Sequence, residues 1–246
     1  MARTIGLWGR SEAGKTALLY QLCTHVTQTG WQVFPNEAAR PFLENAASLA
    51  AQNRFPQPTA LGTRAQVVYD LCSPQGQSAS IHVTDKAGEE LEELSDEVTA
   101  ELNSCDGLLL LFDCMEPRSQ LQTGLKRLLN SLHMARQAGA ARNPKPIAIC
   151  LTKADRLMET EADMHLAIEQ PARFVSERID PALAVIAETR LSCFQLFPVS
   201  AAGVFVKEGA LRSATFFDES LSPRLATGGR AINLTAPIAF LLEGRY

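Results

Sequence analysis

One octapeptide near the start of the chain constrains the fold more than any other feature. Residues 9–16 have the sequence Gly-Arg-Ser-Glu-Ala-Gly-Lys-Thr and fit the pattern G-x-x-x-x-G-K-[ST]. The apolar residues 4–8 before it predict a buried strand, and residues 17–23 after it predict a helix. In that context the loop N–H groups and the helix N-terminus converge on one anion. The sequence therefore predicts an α/β fold that binds the phosphates of a nucleotide at this loop.

The side chains of this loop have separate expected tasks. We expect Lys15 to bring its ammonium charge to the β- and γ-phosphates and the Thr16 hydroxyl to ligate Mg²⁺. The remaining contacts come mainly from backbone N–H groups. The residues expected to contact the nucleotide at this loop are Gly9, Ser11, Glu12, Ala13, Gly14, Lys15, Thr16 and Ala17.

Charge and composition argue against several classes of protein. The net charge of -4 over 246 residues gives no electrostatic case for nucleic acid as the main partner. No apolar stretch approaches the length of a membrane span, and the N-terminus lacks the pattern of a signal peptide. The six cysteines are scattered without metal-ligand spacing, so reduced thiols are expected. We expect a cytoplasmic protein without stable membrane insertion.

The alternation of apolar runs and amphipathic segments predicts the arrangement of the sheet. Residues 108–112 and 146–151 are continuous apolar runs of the kind found in buried parallel strands. Residues 121–137 carry apolar side chains at helical spacing, and residues 66–85 predict an antiparallel hairpin. We therefore predict an open, mostly parallel sheet with helices on both faces and the hairpin at one edge.

The remaining segments give weaker predictions. Residues 27–60 are uncertain apart from a short helix within 37–51, and residues 89–104 predict a helix with an acidic face. Residues 156–192 are expected to be mostly helical, with a last strand at 194–199. The tail from Gly203 is expected to be less regular, with Thr215 to Phe217 in a strand or loop and a closing helix at 236–242.

Two further motifs follow predicted strands at the expected ligand-binding edge. Asp85 and Gly88 form D-x-x-G, in which the carboxylate can reach Mg²⁺ through water and the glycine N–H can face the γ-phosphate. Ser200 and Ala201 follow the strand at 194–199, where a loop of small residues can bring a backbone N–H to the guanine O6. Each of these motifs is weak when taken alone.

Residues 152–155, Thr-Lys-Ala-Asp, follow the strand at 146–151. The Asp155 carboxylate can accept two N–H bonds from the Watson–Crick edge of guanine, a donor pair that adenine lacks. The Lys153 stem can lie flat over the base. The alternative is that Thr152 or Asp155 simply caps a helix.

The four motifs, in this order, resemble those of the P-loop GTPase superfamily, in its Ras-like and translation-factor-like class. The shared patterns span residues 3–202. The resemblance implies a three-layer α/β fold with a six-stranded, mostly parallel sheet, one antiparallel edge strand and helices on both faces. It also implies GTP or GDP and Mg²⁺ as ligands, and two switch loops that respond to the γ-phosphate. We predict a single GTPase domain over residues 1–246.

The resemblance also implies a threonine in the first switch that ligates Mg²⁺. Thr59 and Thr63 are both candidates, and we prefer Thr59 because it follows Pro58. The expected metal shell is then Thr16, Thr59 and Asp85.

Several features depart from the pattern of small GTPases. Glu89 stands where many of them have a glutamine that orients the attacking water. The guanine motif begins with Thr152 instead of asparagine, the first-switch region is enlarged (about 24–63), and so is the helical stretch at about 156–192. The two enlarged regions, Glu89 and the closing Pro-Ile-Ala-Phe-Leu-Leu segment at 237–242 look more like bacterial GTPases of conflict and multi-component signalling systems, including the double-GTPase type.

We expect a molecular switch that binds GTP with Mg²⁺ and hydrolyses it to GDP and phosphate, slowly or with partner help. A GTP-loaded binding module with negligible hydrolysis and an ATPase on the same scaffold remain alternatives, and Glu89 is either catalytic or a solvated switch residue. An effector or regulator is expected at the switch regions, with the acidic cluster at 89–97 as a candidate surface. The residues with expected catalytic roles are Lys15, Thr59, Gly88 and Glu89.

Overall fold

A seven-stranded sheet forms the centre of the computed structural model, which describes residues 2–25, 29–54, 67–83, 96–135, 145–219, 223–226 and 228–243. Its strands are β1 (Arg3–Gly9), β2 (Gln32–Pro35), β3 (Val67–Cys72), β4 (Ser78–Val83), β5 (Gly107–Asp113), β6 (Ile147–Thr152) and β7 (Phe194–Pro198). Their order in the sheet is β2-β3-β4-β1-β5-β6-β7, with β4, β1, β5, β6 and β7 parallel and β3 antiparallel to both of its neighbours.

The predicted fold class is confirmed, and the structure adds one strand to the sheet. The hairpin expected at 66–85 is β3 and β4, but β2 pairs beyond it and becomes the edge strand. The sheet therefore has seven strands instead of six. β2 was missed because it has four residues and none of them is fully buried, so its hydrophobic pattern is weak. Both edge strands, β2 and β7, end on a proline, Pro35 and Pro198.

Helices cover both faces of the sheet, which gives three layers. The helices are α1 (Lys15–His25), α2 (Arg40–Ala51), α3 (Asp96–Ser104), α4 (Arg118–Ala135), α5 (Glu161–Glu169), α6 (Pro171–Phe174), α7 (Ala182–Glu188) and α8 (Ala236–Glu243), with a 3₁₀ turn at Ala154–Leu157 and a π-helical segment at Val175–Ile179. Alternate residues of one strand point to opposite faces of the sheet. Leu109 and Leu111 pack on the face of α1, α2 and α8, whereas Leu108 and Leu110 pack on the face of α3 to α7.

A capping box starts α5 in the predominantly helical stretch predicted at 156–192. Thr160 caps the helix by accepting the Asp163 N–H at 3.2 Å, and Asp163 Oδ2 accepts the N–H groups of Thr160 and Glu159 at 3.0 and 3.1 Å. Arg178, on the π-helical segment, pairs with the other oxygen of Asp163. The carboxylate therefore joins the start of α5 to the helical segment that follows it.

The tail is more regular than the sequence suggested. It contains β8 (Ser200–Lys207), β9 (Ala210–Ser213), β10 (Thr215–Phe217), β11 (Pro223–Leu225) and β12 (Arg230–Ile232). β8 pairs antiparallel with β9 and β12, and β10 pairs with β11. Glu208 and Gly209 join β8 to β9 with φ of 54° and 74°, the backbone of a two-residue hairpin turn. The closing helix predicted at 236–242 is α8.

Within the described ranges, none of the helices combines the length and the hydropathy that crossing a bilayer requires.

Candidate functional site

The carboxyl ends of four neighbouring strands bring three of the four predicted motifs to one end of the sheet, and the fourth, at Asp85 and Gly88, lies outside the described residues. Gly9 on β1 is opposite Leu111 on β5, and Asp113 at the end of β5 is opposite Thr152 at the end of β6. β7 ends beside β6 and leads directly into Ser200. This is the end at which sheets of this kind bind their ligands.

The loop at residues 9–16 has the backbone of a phosphate cradle. Glu12 and Gly14 have φ of 62° and 85°, so the chain reverses tightly before α1 begins at Lys15. A Cβ added at Gly9 would lie 3.0 Å from Leu111 Cβ, which explains why the loop needs a residue without a side chain there. The first turn of α1 contains no acidic residue, so its N-terminus is electrostatically suited to an anion.

The Lys15 ammonium lies over the loop. Its Nζ donates to the carbonyl oxygens of Gly9 at 2.6 Å and Arg10 at 3.1 Å. Ser11 and Glu12 are exposed at the rim, and Ala13 is buried beneath the loop. The structure thus puts the predicted charge at the mouth of the predicted cradle.

Gly14 of the phosphate loop and Thr152 of the predicted guanine motif are neighbours in space. A Cβ built on Gly14 would be 3.8 Å from Thr152 Cβ. Thr152 is buried, and its hydroxyl donates to the carbonyl oxygen of Phe112 at 3.1 Å. The Thr152 side chain therefore ties β6 to β5 beside the loop and does not cap the following turn.

Lys153 is held by an acid that the sequence analysis missed. Its Nζ lies 2.5 Å from Asp113 Oδ2, and the other oxygen of Asp113 accepts the Met115 N–H at 2.9 Å. Lys153 itself has a φ of 60°, which turns the chain into the 3₁₀ segment. An acid at the carboxyl end of the buried run 108–112 was the available signal for Asp113.

Asp155 is buried, with 2% of its surface exposed, and both of its carboxylate oxygens are engaged. Oδ1 accepts the hydroxyl of Ser200, and Oδ2 accepts the hydroxyl of Ser213 from the end of β9. The side-chain cap expected under the alternative interpretation is absent, because the residue at the N-cap of the turn is Lys153 and it makes no capping bond. Ser213 belongs to no recognised motif, and nothing in the sequence pattern singled it out.

Ser200 and Ala201 are in a strand instead of the predicted loop. Ser200 opens β8 opposite Ile232, and Val204 is opposite Arg230, so residues 201–203 face the single residue Ala231. This irregularity breaks the ladder where the small residues lie, because Gly203 has a φ of 81° there. The two residues of the prediction are still at the carboxyl end of β7, and Ala201 lines one small cavity together with Ala17, Tyr20 and Leu225.

Several predicted site residues lie outside the described residues. These are Thr59, Thr63, Asp85, Gly88 and Glu89, together with most of the acidic cluster at 89–97. Their roles stay predictions, as does the choice between the two threonines. Of the expected metal shell, Thr16 is described, as the second residue of α1.

Comparison with known proteins identifies the family. The model of the family described as Double-GTPase 2 matches residues 3–216. Among curated proteins, none matches this chain. The GTPase-like domain of S. cerevisiae Ski7 has a similar structure, bound to GTP (TM-score 0.51) and bound to GDP and inorganic phosphate (TM-score 0.50). Identity is 14% in both, over 99% of this chain and 50% of that chain.

A GTP-binding protein from Sulfolobus solfataricus, in complex with GDP, aligns at a TM-score of 0.45 and 15% identity, over 81% of this chain and 47% of that chain. The chain thus spans about half the length of these solved chains. At 14% identity, the two Ski7 structures show a shared fold. The family match covers most of the chain, and it agrees with the resemblance of the four motifs. The chain therefore belongs to the Double-GTPase 2 family and is a P-loop protein of GTPase type.

Proposed function

We propose that this protein is a guanine-nucleotide switch, which binds GTP with Mg²⁺ and hydrolyses it to GDP and phosphate slowly or with partner help. The observation that carries the proposal is the proximity of two motifs. Gly14 of the phosphate loop lies beside Thr152, which precedes the turn that carries Asp155. One nucleotide can therefore have its phosphates in the loop and its base at the turn.

The loop and α1 account for the phosphate half of the site. Lys15 already lies over the loop, so its ammonium is positioned to neutralise charge on the β- and γ-phosphates. The backbone N–H groups around Gly14 and the first turn of α1 add oriented dipoles. The roles of Ser11, Glu12 and Ala13 would be limited to backbone contacts, since their side chains either point to solvent or are buried below the loop.

The donors available for Mg²⁺ are oxygen atoms, which suits this hard cation. Thr16 would supply its hydroxyl, Thr59 or Thr63 a second hydroxyl, and Asp85 a carboxylate that acts through water. When bound, Mg²⁺ supplies positive charge that offsets the charge of the phosphates. Catalysis by the chain itself would consist of holding the phosphates and orienting the attacking water.

Guanine recognition would depend on Asp155, with Lys153 and Ala201 beside the base. The Lys153 ammonium is anchored by Asp113, which fixes the direction of the lysine stem. Asp155 is an acceptor-only group when ionised, so it matches the two N–H donors on the guanine edge and mismatches adenine. A partner that senses the bound state would contact the switch regions, including the acidic cluster at 89–97.

Glu89 supports a second candidate function. A glutamate at this position can accept a hydrogen bond from water but cannot donate one to the γ-phosphate, and its charge opposes that of the phosphate. The protein would then be a GTP-loaded binding module with negligible hydrolysis. Phosphate release in a single turnover separates the two: release no faster than in buffer over hours favours the module.

The proposal is tested by nucleotide affinity and turnover of the wild-type protein, Lys15→Ala and Asp155→Asn. We expect Lys15→Ala to abolish tight GTP binding, whereas Lys126→Ala, an exposed lysine on α4, leaves it unchanged. Asp155→Asn should shift preference towards xanthine nucleotides by about 10- to 100-fold, because the amide reverses one hydrogen-bond partner. The control Asp163→Asn changes a buried carboxylate outside the site. Equal competition by ATP and GTP in the wild type, or an unchanged base preference in Asp155→Asn, would contradict the guanine assignment.

A further inference from the structure

Asp155 is held by two serines from separate parts of the chain. Ser200, which contacts Oδ1, belongs to the small-residue motif that follows β7. Ser213, which contacts Oδ2, comes from the end of β9 in the tail hairpin, 58 residues after Asp155. One carboxylate is thus fixed at both oxygens, and one of the two contacts comes from a segment without any predicted role.

The surrounding backbone orients both hydroxyl groups toward Asp155. Ser200 Oγ accepts the N–H of Gly203 at 2.8 Å, and Ser213 Oγ accepts the N–H of Thr215 at 3.0 Å. Because an N–H group cannot accept, each hydroxyl keeps its own proton to donate. For Ser213 the other acceptor within reach is the carbonyl oxygen of Thr215 at 3.3 Å, which is uncharged and therefore a weaker partner than the carboxylate.

The acceptor capacity of Asp155 is half used by these contacts. An ionised carboxylate offers about four lone-pair sites, two on each oxygen. The two serine hydroxyls take one site on each oxygen, and within the described residues Asp155 forms no salt bridge. One site is left on each oxygen, which matches in number the N1–H and N2–H donors of guanine.

The hairpin that carries Ser213 is packed against the turn that carries Asp155. Val204 on β8 and Leu211 on β9 belong to the same buried cluster as Ala154 and Met158, on either side of Asp155. The Arg156 guanidinium also lies over the Phe217 ring, 5.6 Å from its centroid. Ser213 is therefore held in place relative to the carboxylate by packing on both sides.

We propose that Ser213 is a positioning residue for guanine recognition. By holding Oδ2, it fixes the plane of the Asp155 carboxylate so that the free site on each oxygen faces one donor of the base. The inference rests on the proposed function in one respect, namely that Asp155 accepts hydrogen bonds from guanine. It makes the tail hairpin part of the specificity of the site.

The test is the affinity of the full chain for GTP, ITP and XTP, measured by competition against a fluorescent guanine nucleotide. Inosine lacks the exocyclic amine, so the ratio of GTP to ITP affinity reports the second hydrogen bond to Asp155. We expect Ser213→Ala to weaken GTP by about three- to tenfold and ITP by less, so that this ratio falls. Ser213→Thr keeps a hydroxyl and should retain most of the wild-type ratio.

Thr215→Val is the matched control. This residue lies two positions further on in the same segment, and its hydroxyl contacts neither oxygen of Asp155. Removing that hydroxyl should leave the ratio unchanged, and the melting temperature of each variant shows whether the hairpin remains folded. Parallel weakening of GTP, ITP and XTP by Ser213→Ala would assign a merely structural role to Ser213. Tighter GTP binding would mean that the serine competes with the base, and either result overturns the proposal.

The variant Asp155→Asn distinguishes a wrong role for Ser213 from a wrong guanine assignment for Asp155. If it changes the base preference while Ser213→Ala does not, the role of Ser213 is wrong and the guanine assignment stands. If it leaves the base preference unchanged, the guanine assignment itself is wrong. If the guanine assignment of Asp155 and the role of Ser213 are both right, Ser213→Ala should have little further effect on the GTP-to-ITP ratio in the Asp155→Asn background. The carboxylate that Ser213 positions has then already been replaced.

Discussion

Two buried carboxylates, eight residues apart, are treated very differently by the chain. Asp155 is 2% exposed and is contacted by two neutral hydroxyls, from Ser200 and Ser213. Asp163 is 4% exposed and accepts two N–H groups, the Thr160 hydroxyl and the Arg178 guanidinium. Asp155 receives two donors, whereas Asp163 receives four, one of them a cation.

The difference separates an acid whose contacts within the fold are complete from one that keeps acceptor sites for the proposed base. A buried charge is costly unless it is paired and hydrogen-bonded. Asp163 meets that requirement within the chain with four donors, one of which is the Arg178 cation. Asp155 has two donors, and in the proposed function guanine would supply two more. Burial alone therefore does not distinguish the two, whereas the count of donors does.

The largest expected effect is on the stability contributed by Asp163. Asp163→Ala removes the N3 side chain of the capping box and the contact with Arg178, and we expect a loss of about 2–3 kcal/mol in the free energy of unfolding. Urea unfolding measures it, with the GTP-to-ITP affinity ratio unchanged. Glu177→Ala, which removes an exposed ion pair with Arg173, is the control and should cost less than about 1 kcal/mol. Equal losses in the two variants would mean that the buried carboxylate of Asp163 contributes no more to stability than an exposed ion pair does.

A smaller effect is expected from titrating Asp163 than from removing it. Burial raises the pKa of Asp163, but hydrogen bonds from Thr160 and Glu159 and the Arg178 charge outweigh burial and hold it below its usual range. With a pKa that is lower in the folded state, its contribution is fully present above about pH 4 and is lost as the pH falls through the folded pKa. Asp163→Asn should flatten the fall of unfolding free energy in acid. An unchanged acid profile would contradict the assignment.

The smallest expected effect concerns the acid that anchors Lys153. The Lys153–Asp113 pair is partly exposed, so Asp113→Asn should lower GTP affinity by only about two- to fivefold through a less restrained lysine stem. Affinity for GTP and ITP should fall together, since in the proposed binding mode the lysine would lie over the base and would not contact its donors. A selective loss of GTP over ITP would instead place Asp113 with Ser213 in orienting Asp155.

The sequence predicted the parts of the fold and site whose signals are local. The run 108–112 and the strand–loop–helix around Gly9–Thr16 carry their structure in consecutive residues, and both are observed. β2, β8, β9, β11 and β12 were missed because their patterns are weak and they are specified by their partners in space, whereas β10 lies at Thr215–Phe217, where a strand or loop was expected. The glycine of the Glu208–Gly209 turn was the available signal for the hairpin of β8 and β9.

The missed site residues have the same explanation. Asp113 acts on Lys153, 40 residues away, and Ser213 acts on Asp155, 58 residues away. Neither residue belongs to a motif, and each acquires its role when two segments pack together. Motifs located the backbone of the candidate site and the residues proposed to face the nucleotide, whereas the side chains that support them were visible only in three dimensions.

The two prolines that end the edge strands of the central sheet limit its pairing with strands of other molecules. An open sheet exposes unpaired N–H and C=O groups at both sides, which invite strands from other chains. Here the edge strands β2 and β7 have four and five residues, and each ends on a proline that has no N–H to donate. Each edge strand is therefore short and ends at a residue without an N–H donor, which disfavours edge-to-edge aggregation of the folded protein.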